Sequence, residues 1–171
     1  MVQEEGIIRM EGVQILGGRY RNFSGNPTDF NPKGGVREFA AVLPEDIAEK
    51  MAADGINVKR TKVYDDDGVV EEGVEGLPFV KIKLNFGTYK PPIVYMVTPR
   101  KDPRHLPEDV VDLLDSADIV SADIVVKHAE RTINGEVVHP LYLRTLYANV
   151  EPDYFQEKYA RMAEEREREN G

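Results

Sequence analysis

Cysteine and tryptophan are absent from the 171 residues, and histidine occurs only three times. Without thiols there is no disulfide framework, no thiolate metal site and no cysteine nucleophile, which suits a reducing compartment. The histidines (His105, His128 and His139) are scattered, and no pair has helical i, i+4 spacing, so no zinc site is expected. No apolar run approaches the roughly 18 residues that a membrane span requires. The start, Met1-Val2-Gln3-Glu4-Glu5, is acidic and polar, unlike the basic start and apolar middle of a signal peptide. The expectation is a cytoplasmic protein with no membrane contact.

The common catalytic motifs are missing too. No glycine-rich loop ends in Lys-Ser/Thr, and no Gly-x-Ser-x-Gly elbow is present. Asp65-Asp66-Asp67-Gly68 lacks the closing glutamate and flanking helices of a calcium loop. Carboxylate pairs occur only inside acidic clusters that solvation explains. The expectation is therefore no enzyme activity, no cofactor and no metal.

What the chain does contain is a soluble domain's composition: 41% hydrophobic and 31% charged residues, enough for one sizeable core. Net charge is −9, but the two signs are segregated. Acid gathers at Asp65–Asp67, Glu71, Glu72 and Glu75, through Pro107–Asp123, and at the C-terminal end. Base gathers at Arg19–Arg21, Lys59–Lys62, Lys81–Lys90 and Arg100–Arg104. Two readings follow. An acidic protein can still present a basic groove, or its acidic surface can imitate DNA and occupy another protein's groove.

Hydrophobic alternation predicts strands over Ile7–Leu16, Arg19–Phe23, Val36–Leu43, Ile56–Tyr64 and Leu77–Phe86. It predicts further strands over Ile93–Val97, Asp118–Lys127 and Val137–Val150. Leu77–Phe86 and Ile93–Val97 are expected to pair as a hairpin across Gly87–Pro92. Asn134-Gly135 predicts a second hairpin. In the last strand Tyr142 and Arg144 share one side, with Leu141, Leu143, Thr145 and Tyr147 on the other, and either face could be core. Helices are expected over 44–55, where proline opens, acids fill the first turn, Ile47 and Met51 share a face and Gly55 closes, and over 106–117. Asp65–Gly76, with six acids and no base, is expected to be a mobile, solvated loop. Short, evenly spaced strands with capping helices predict a mainly β (α+β) fold, an OB-fold-like small β-barrel over 1–150. Residues 151–171 read as a C-terminal helix ending in a frayed, charged tail.

Phe23, Phe30 and Phe39 are interleaved with Arg19, Arg21, Lys33 and Arg37 around a polar Asn/Pro/Gly loop. Rings that can stack on bases, beside cations that can track phosphates, suit a single nucleic-acid strand. In a packed hairpin the same rings would be core and the charges merely solvated. Alternation sets Arg21 beside Phe23, and Arg37 beside Phe39, on shared strand sides.

Taken in order, these pieces resemble a family of phage-encoded single-stranded DNA-binding proteins. The resemblance rests on Arg21-Asn22-Phe23-Ser24-Gly25, Phe30-Asn31 and Gly35-Val36-Arg37-Glu38-Phe39. It continues through Ala53-Asp54-Gly55-Ile56-Asn57-Val58-Lys59, Pro91-Pro92-Ile93-Val94 and Leu113-Leu114-Asp115 to Leu141-Tyr142-Leu143-Arg144-Thr145-Leu146-Tyr147. It implies an OB-like barrel that coats single-stranded DNA, tolerant of sequence, during phage replication or recombination in the bacterial cytoplasm. It also implies an acidic tail that recruits replication or recombination proteins, although the tail here mixes Glu with Arg; a homo-oligomer is compatible. The expected DNA-binding residues are Phe23, Phe30, Phe39 and Phe79 for bases, and Arg21, Arg37, Lys59, Lys62, Lys81, Lys83 and Arg100 for phosphates.

Overall fold

A computed structural model describes residues 6–151, together with the isolated positions 166, 168 and 169. The expected C-terminal helix and tail otherwise lie outside the described residues. In chain order the elements are β1 (Ile7–Val13), β2 (Arg21–Asn22), β3 (Glu38–Val42), α1 (Glu45–Ala53), β4 (Lys59–Arg60) and β5 (Pro78–Lys83). There follow β6 (Ile93–Val97), β7 (Arg104–Leu106), α2 (Leu113–Ser116), β8 (Asp118–His128), β9 (Arg131–Ile133), β10 (Glu136–Val138) and β11 (Leu141–Glu151).

The long antiparallel pair β8–β11 is the spine. Ile119, Ala122, Ile124 and Val126 of β8 and Leu141, Leu143, Leu146, Ala148 and Val150 of β11 supply its buried face. Around it the sheet runs β1-β8-β11-β5-β3-β2, with β4 on β5 and β6–β7 attached to β11. The Asn134-Gly135 turn, at φ 50° and 82°, closes the small β9–β10 ladder at the far end of the spine, as the dipeptide predicts.

The expectations for the β5–β6 hairpin and for the second helix are corrected. β5 and β6 do not form a hairpin; both lie parallel to β11, at Tyr142↔Lys83 and Thr145–Asn149↔Ile93–Val97. Pro91-Pro92 lacks the N–H groups and torsional freedom of a tight return, so the chain passes onward along the same strand. After Pro103 the chain returns, and Arg104–Leu106 pairs antiparallel with β6. The second helix shrinks to Leu113–Ser116, preceded by turns from Pro107 onward. The acidic segment is mostly exposed, as expected, and local hydrogen bonds shape its start into a hairpin-like turn. Tyr64 bridges Val70, and the Asp65 carboxylate accepts the N–H groups of Asp67 and Val69, both at 2.9 Å.

Helix α1 is close to its expected span, and Gly55 follows it at φ +90°, a conformation that suits glycine at a helix end. Ala48 and Met51 form its buried face, whereas Ile47 is exposed. The sheet is open. Among the described residues no ladder joins β1 to β2, and only the bridge Ile15↔Ala41 links the extension of β1 to β3. Two hydrogen bonds flank that bridge: Leu16 N–H to the Ala40 carbonyl at 3.0 Å and Val42 N–H to the Gln14 carbonyl at 2.8 Å. No helix among the described residues is long and apolar enough to cross a membrane.

Candidate nucleic-acid interface

The Phe-Arg hairpin does put Arg21 opposite Phe39, but the shared side is the core. Phe23 and Phe39 are 0% exposed and stack on each other at 5.1 Å and 18°. Phe79 is 3% exposed and meets Tyr20 edge-to-face at 5.3 Å. These three rings have no open face for a base, which corrects the expectation for them: apolar rings on the inward side of paired strands are better removed from water.

The accompanying arginines are occupied as well. The Arg21 guanidinium donates to the carbonyls of Ala117 (2.7 Å), Leu114 (3.1 Å), Leu16 (3.3 Å) and Ile15 (3.5 Å), tying β2 to the end of α2. Burial lowers its pKa, and the nearby Asp115 and Asp118 carboxylates oppose that shift. Asp115 in turn accepts the N–H groups of Phe23 (2.6 Å) and Ser24 (3.1 Å). Arg37 donates to the carbonyls of Glu108 (3.1 Å) and Phe23 (3.2 Å) and lies over the Phe86 ring at 5.2 Å. Both arginines are engaged with backbone carbonyls of the fold.

The remaining expected residues are on the surface. Phe30, at the tip of the β2–β3 loop, is 102% exposed. Asn22 braces the base of that loop, its side-chain oxygen accepting from Gly25 N–H and Asn26 N–H, both at 3.0 Å. Lys59, Lys62 and Arg100 are exposed. Lys81 lies 3.6 Å from the Glu38 carboxylate. Lys83, two residues on and on the same side, is in register with Tyr142 of β11.

That register leads to side chains that sequence reasoning did not assemble. Between Leu143↔Val126 and Thr145↔Val125, strand β11 carries an extra residue, Arg144. A bulge resets the alternation, so Tyr142, Arg144, Thr145, Tyr147 and Asn149 all face outward while Leu143, Leu146 and Ala148 remain buried. The expected split of Tyr142 and Tyr147 onto opposite faces is thereby corrected. A strict period of two does not survive an inserted residue.

The outward face holds two features. The first is a cleft of about 170 Å³ lined by Asn85, Thr88, Tyr89, Lys90, Lys127, Arg131, Tyr142, Leu143 and Arg144. Among the described residues its lining supplies four cations and two tyrosines. Arg131 of the β9–β10 hairpin stands over Tyr142 at 5.5 Å, and Arg144 donates to the Lys90 carbonyl at 3.3 Å. The second feature is a row across four strands, Asp123–Tyr147–Tyr95–His105, set by the pairings of β8, β11, β6 and β7. Tyr95 and Tyr147 stack at 4.8 Å and 11°, and His105 packs at 5.7 Å on Tyr95. The available sequence signal was the basic run Lys81–Lys90 and the Tyr142/Arg144 pair. The aromatic row crosses strands far apart in sequence and leaves no local trace.

Among the described residues, no group of three or more His, Asp or Glu side chains is arranged to hold a metal ion. A family model described as "Putative phage ssDNA-binding domain" matches residues 2–169. No curated protein matches the sequence. Among solved structures, the single-stranded DNA-binding protein from bacteriophage Enc34 in complex with ssDNA is similar, at TM-score 0.53 and 11% identity over 88% of this chain and 89% of that one. The same phage protein in a second structure gives 0.50 and 11%, covering 88% and 84%. Gp2.5, a single-stranded DNA-binding protein encoded by bacteriophage T7, gives 0.43 and 9%, covering 86% and 88%.

Proposed function

The chain belongs to the phage ssDNA-binding domain family, and on that premise we propose that it holds single-stranded DNA across the outward face of β8, β11, β5 and β6. The observation that carries this reading is the cleft where Lys90, Lys127, Arg131 and Arg144 converge around Tyr89 and Tyr142. Lys83, in register with Tyr142, extends the basic lining onto β5. Phosphates bind the cations and bases stack on the tyrosines, a sequence-tolerant chemistry because every base has a π-face. Phe30 joins this interface as a fully exposed ring on a braced loop. Lys59, Lys62, Lys81 and Arg100 form its outer margin, with Lys81 giving up Glu38 when a phosphate is near.

The reading includes an OB-type architecture, supported by the single Ile15↔Ala41 bridge at the position where the open sheet would close on itself. It also makes the protein a binder without catalysis, acting on phage DNA in the host cytoplasm. Recruitment of replication proteins through residues 151–171 and self-association are further parts of the proposal that the cleft does not touch.

Titration of a fluorescent oligonucleotide at several salt concentrations tests it. Each neutralised phosphate contributes a slope of about −0.7 in log K against log salt for a single strand. The four cleft cations with Lys83 therefore imply roughly −3.5, and any contact by the marginal cations steepens it. A flat salt response, or no binding at low salt, would sink the reading.

A further inference from the structure

Asp123 is a carboxylate at the end of the aromatic row, cross-strand from Tyr147. One of its oxygens, Oδ1, accepts the Gly12 N–H at 2.9 Å and so braces the irregularity of β1 between Met10 and Val13. That contact leaves Oδ2 for another donor. Tyr147 is in register with Asp123 on one side and with Tyr95 on the other. The Tyr95–Tyr147 separation of 4.8 Å matches the distance between neighbouring strands, and the planes are nearly parallel. Both rings therefore stand upright on the sheet with their faces along the row. One face of Tyr147 is covered by Tyr95; the opposite face opens over Asp123, and Tyr147 keeps 38% exposure.

From this geometry we infer that Tyr147 and Asp123 form a base-selective subsite, which takes a nucleobase carrying an exocyclic amino group in preference to thymine. A base stacked on the open face of Tyr147 stands above β8 with its edge directed at the Asp123 carboxylate. A carboxylate accepts hydrogen bonds and donates none. Cytosine and adenine offer an amino group there, the pairing by which Asp and Glu read cytosine N4. Thymine offers only its ring N–H, flanked by two carbonyl oxygens that a carboxylate repels. On the next row Asn149 donates to Ser121 Oγ at 3.1 Å. The inference rests on the proposed interface and adds to it a preference within otherwise tolerant binding.

The test compares short oligodeoxycytidine with oligothymidine of equal length at mildly alkaline pH, for the wild-type chain and for Asp123→Asn. Asparagine keeps a side-chain oxygen for the Gly12 N–H but can turn an NH₂ donor toward the base. The wild type is expected to bind the cytidine oligomer about three- to tenfold more tightly. In Asp123→Asn that ratio falls to unity or inverts toward thymidine, with the thermal midpoint unchanged. Tyr147→Ala weakens both oligomers and removes the difference between them. Equal wild-type affinities, or a ratio that Asp123→Asn leaves unaltered, would overturn the subsite while the interface as a whole stands. Failure of the wild type to bind either oligomer at low salt would overturn both.

Discussion

Arg131 lies over the ring of Tyr142, its guanidinium carbon 5.5 Å from the ring centroid, although the two residues belong to separate sheets. The contact ties the β9–β10 hairpin to the spine strand that carries the basic cleft. Tyr142→Ala removes a stacking ring, and binding of an oligonucleotide should weaken by about 1–3 kcal/mol with little change in salt slope. Arg131→Gln removes a cation instead. Its salt slope should flatten by about 0.7, which a titration series in sodium chloride reads directly.

Two phenylalanines of one stretch should behave in opposite ways. Phe23→Ala empties a stacked core position and should cost about 3–5 kcal/mol in urea denaturation. Phe30→Ala touches nothing buried and should stay within about 0.5 kcal/mol of the parent. If Phe30 stacks on a base, the same variant loses about tenfold in affinity. Unchanged affinity would remove the loop tip from the interface.

Arg21 should prove to be a stability residue. Arg21→Met keeps part of the stem but leaves the carbonyls of Ile15, Leu16, Leu114 and Ala117 without their donor. A loss of about 2–4 kcal/mol is expected, because a charged donor to several half-buried carbonyls is removed at once. Oligonucleotide affinity of the folded fraction should be retained. A large affinity loss without a stability loss would return Arg21 to the DNA path.

The Glu45–Arg60 pair gives a pH-dependent contribution of known sign. Arg60 donates to both Glu45 oxygens, at 2.9 and 2.7 Å, and these hydrogen bonds hold the carboxyl below its ordinary range. A carboxyl with a depressed folded-state pKa stabilises the fold above its unfolded pKa, and that contribution is lost as pH falls through the folded value. Glu45→Gln should therefore lower the thermal midpoint slightly at neutral pH. The gap from the parent should close in acid. A gap independent of pH would show that packing, not charge, holds the pair.

Periodicity and turn chemistry are local, and they carried much of the fold. Pro44 and Gly55 mark the ends of the first helix, Asn134-Gly135 marks a hairpin, and alternation marks β5 and β8. The ordered series from Arg21 to Tyr147 was also enough to suggest the family, since each piece is a chain-local pattern. Burial was less legible. Phe23 and Phe39 could be read as core or as stacking platforms, because alternation says that side chains share a face but not which face meets water.

Tertiary structure decided that question. Phe23 and Phe39 found each other across the β2–β3 pair, and Arg21 and Arg37 turned to backbone carbonyls that the folded chain would otherwise leave without donors. One inserted residue at Arg144 rotated Tyr147 onto the face of Tyr142. Parallel docking of β5 and β6 along β11 then brought Lys83 beside Tyr142 and Tyr95 beside Tyr147. The physical reason is the range of the interactions. Turns and helix ends depend on a few consecutive residues, whereas a bulge and a cross-strand row exist only once strands distant in sequence have chosen their register.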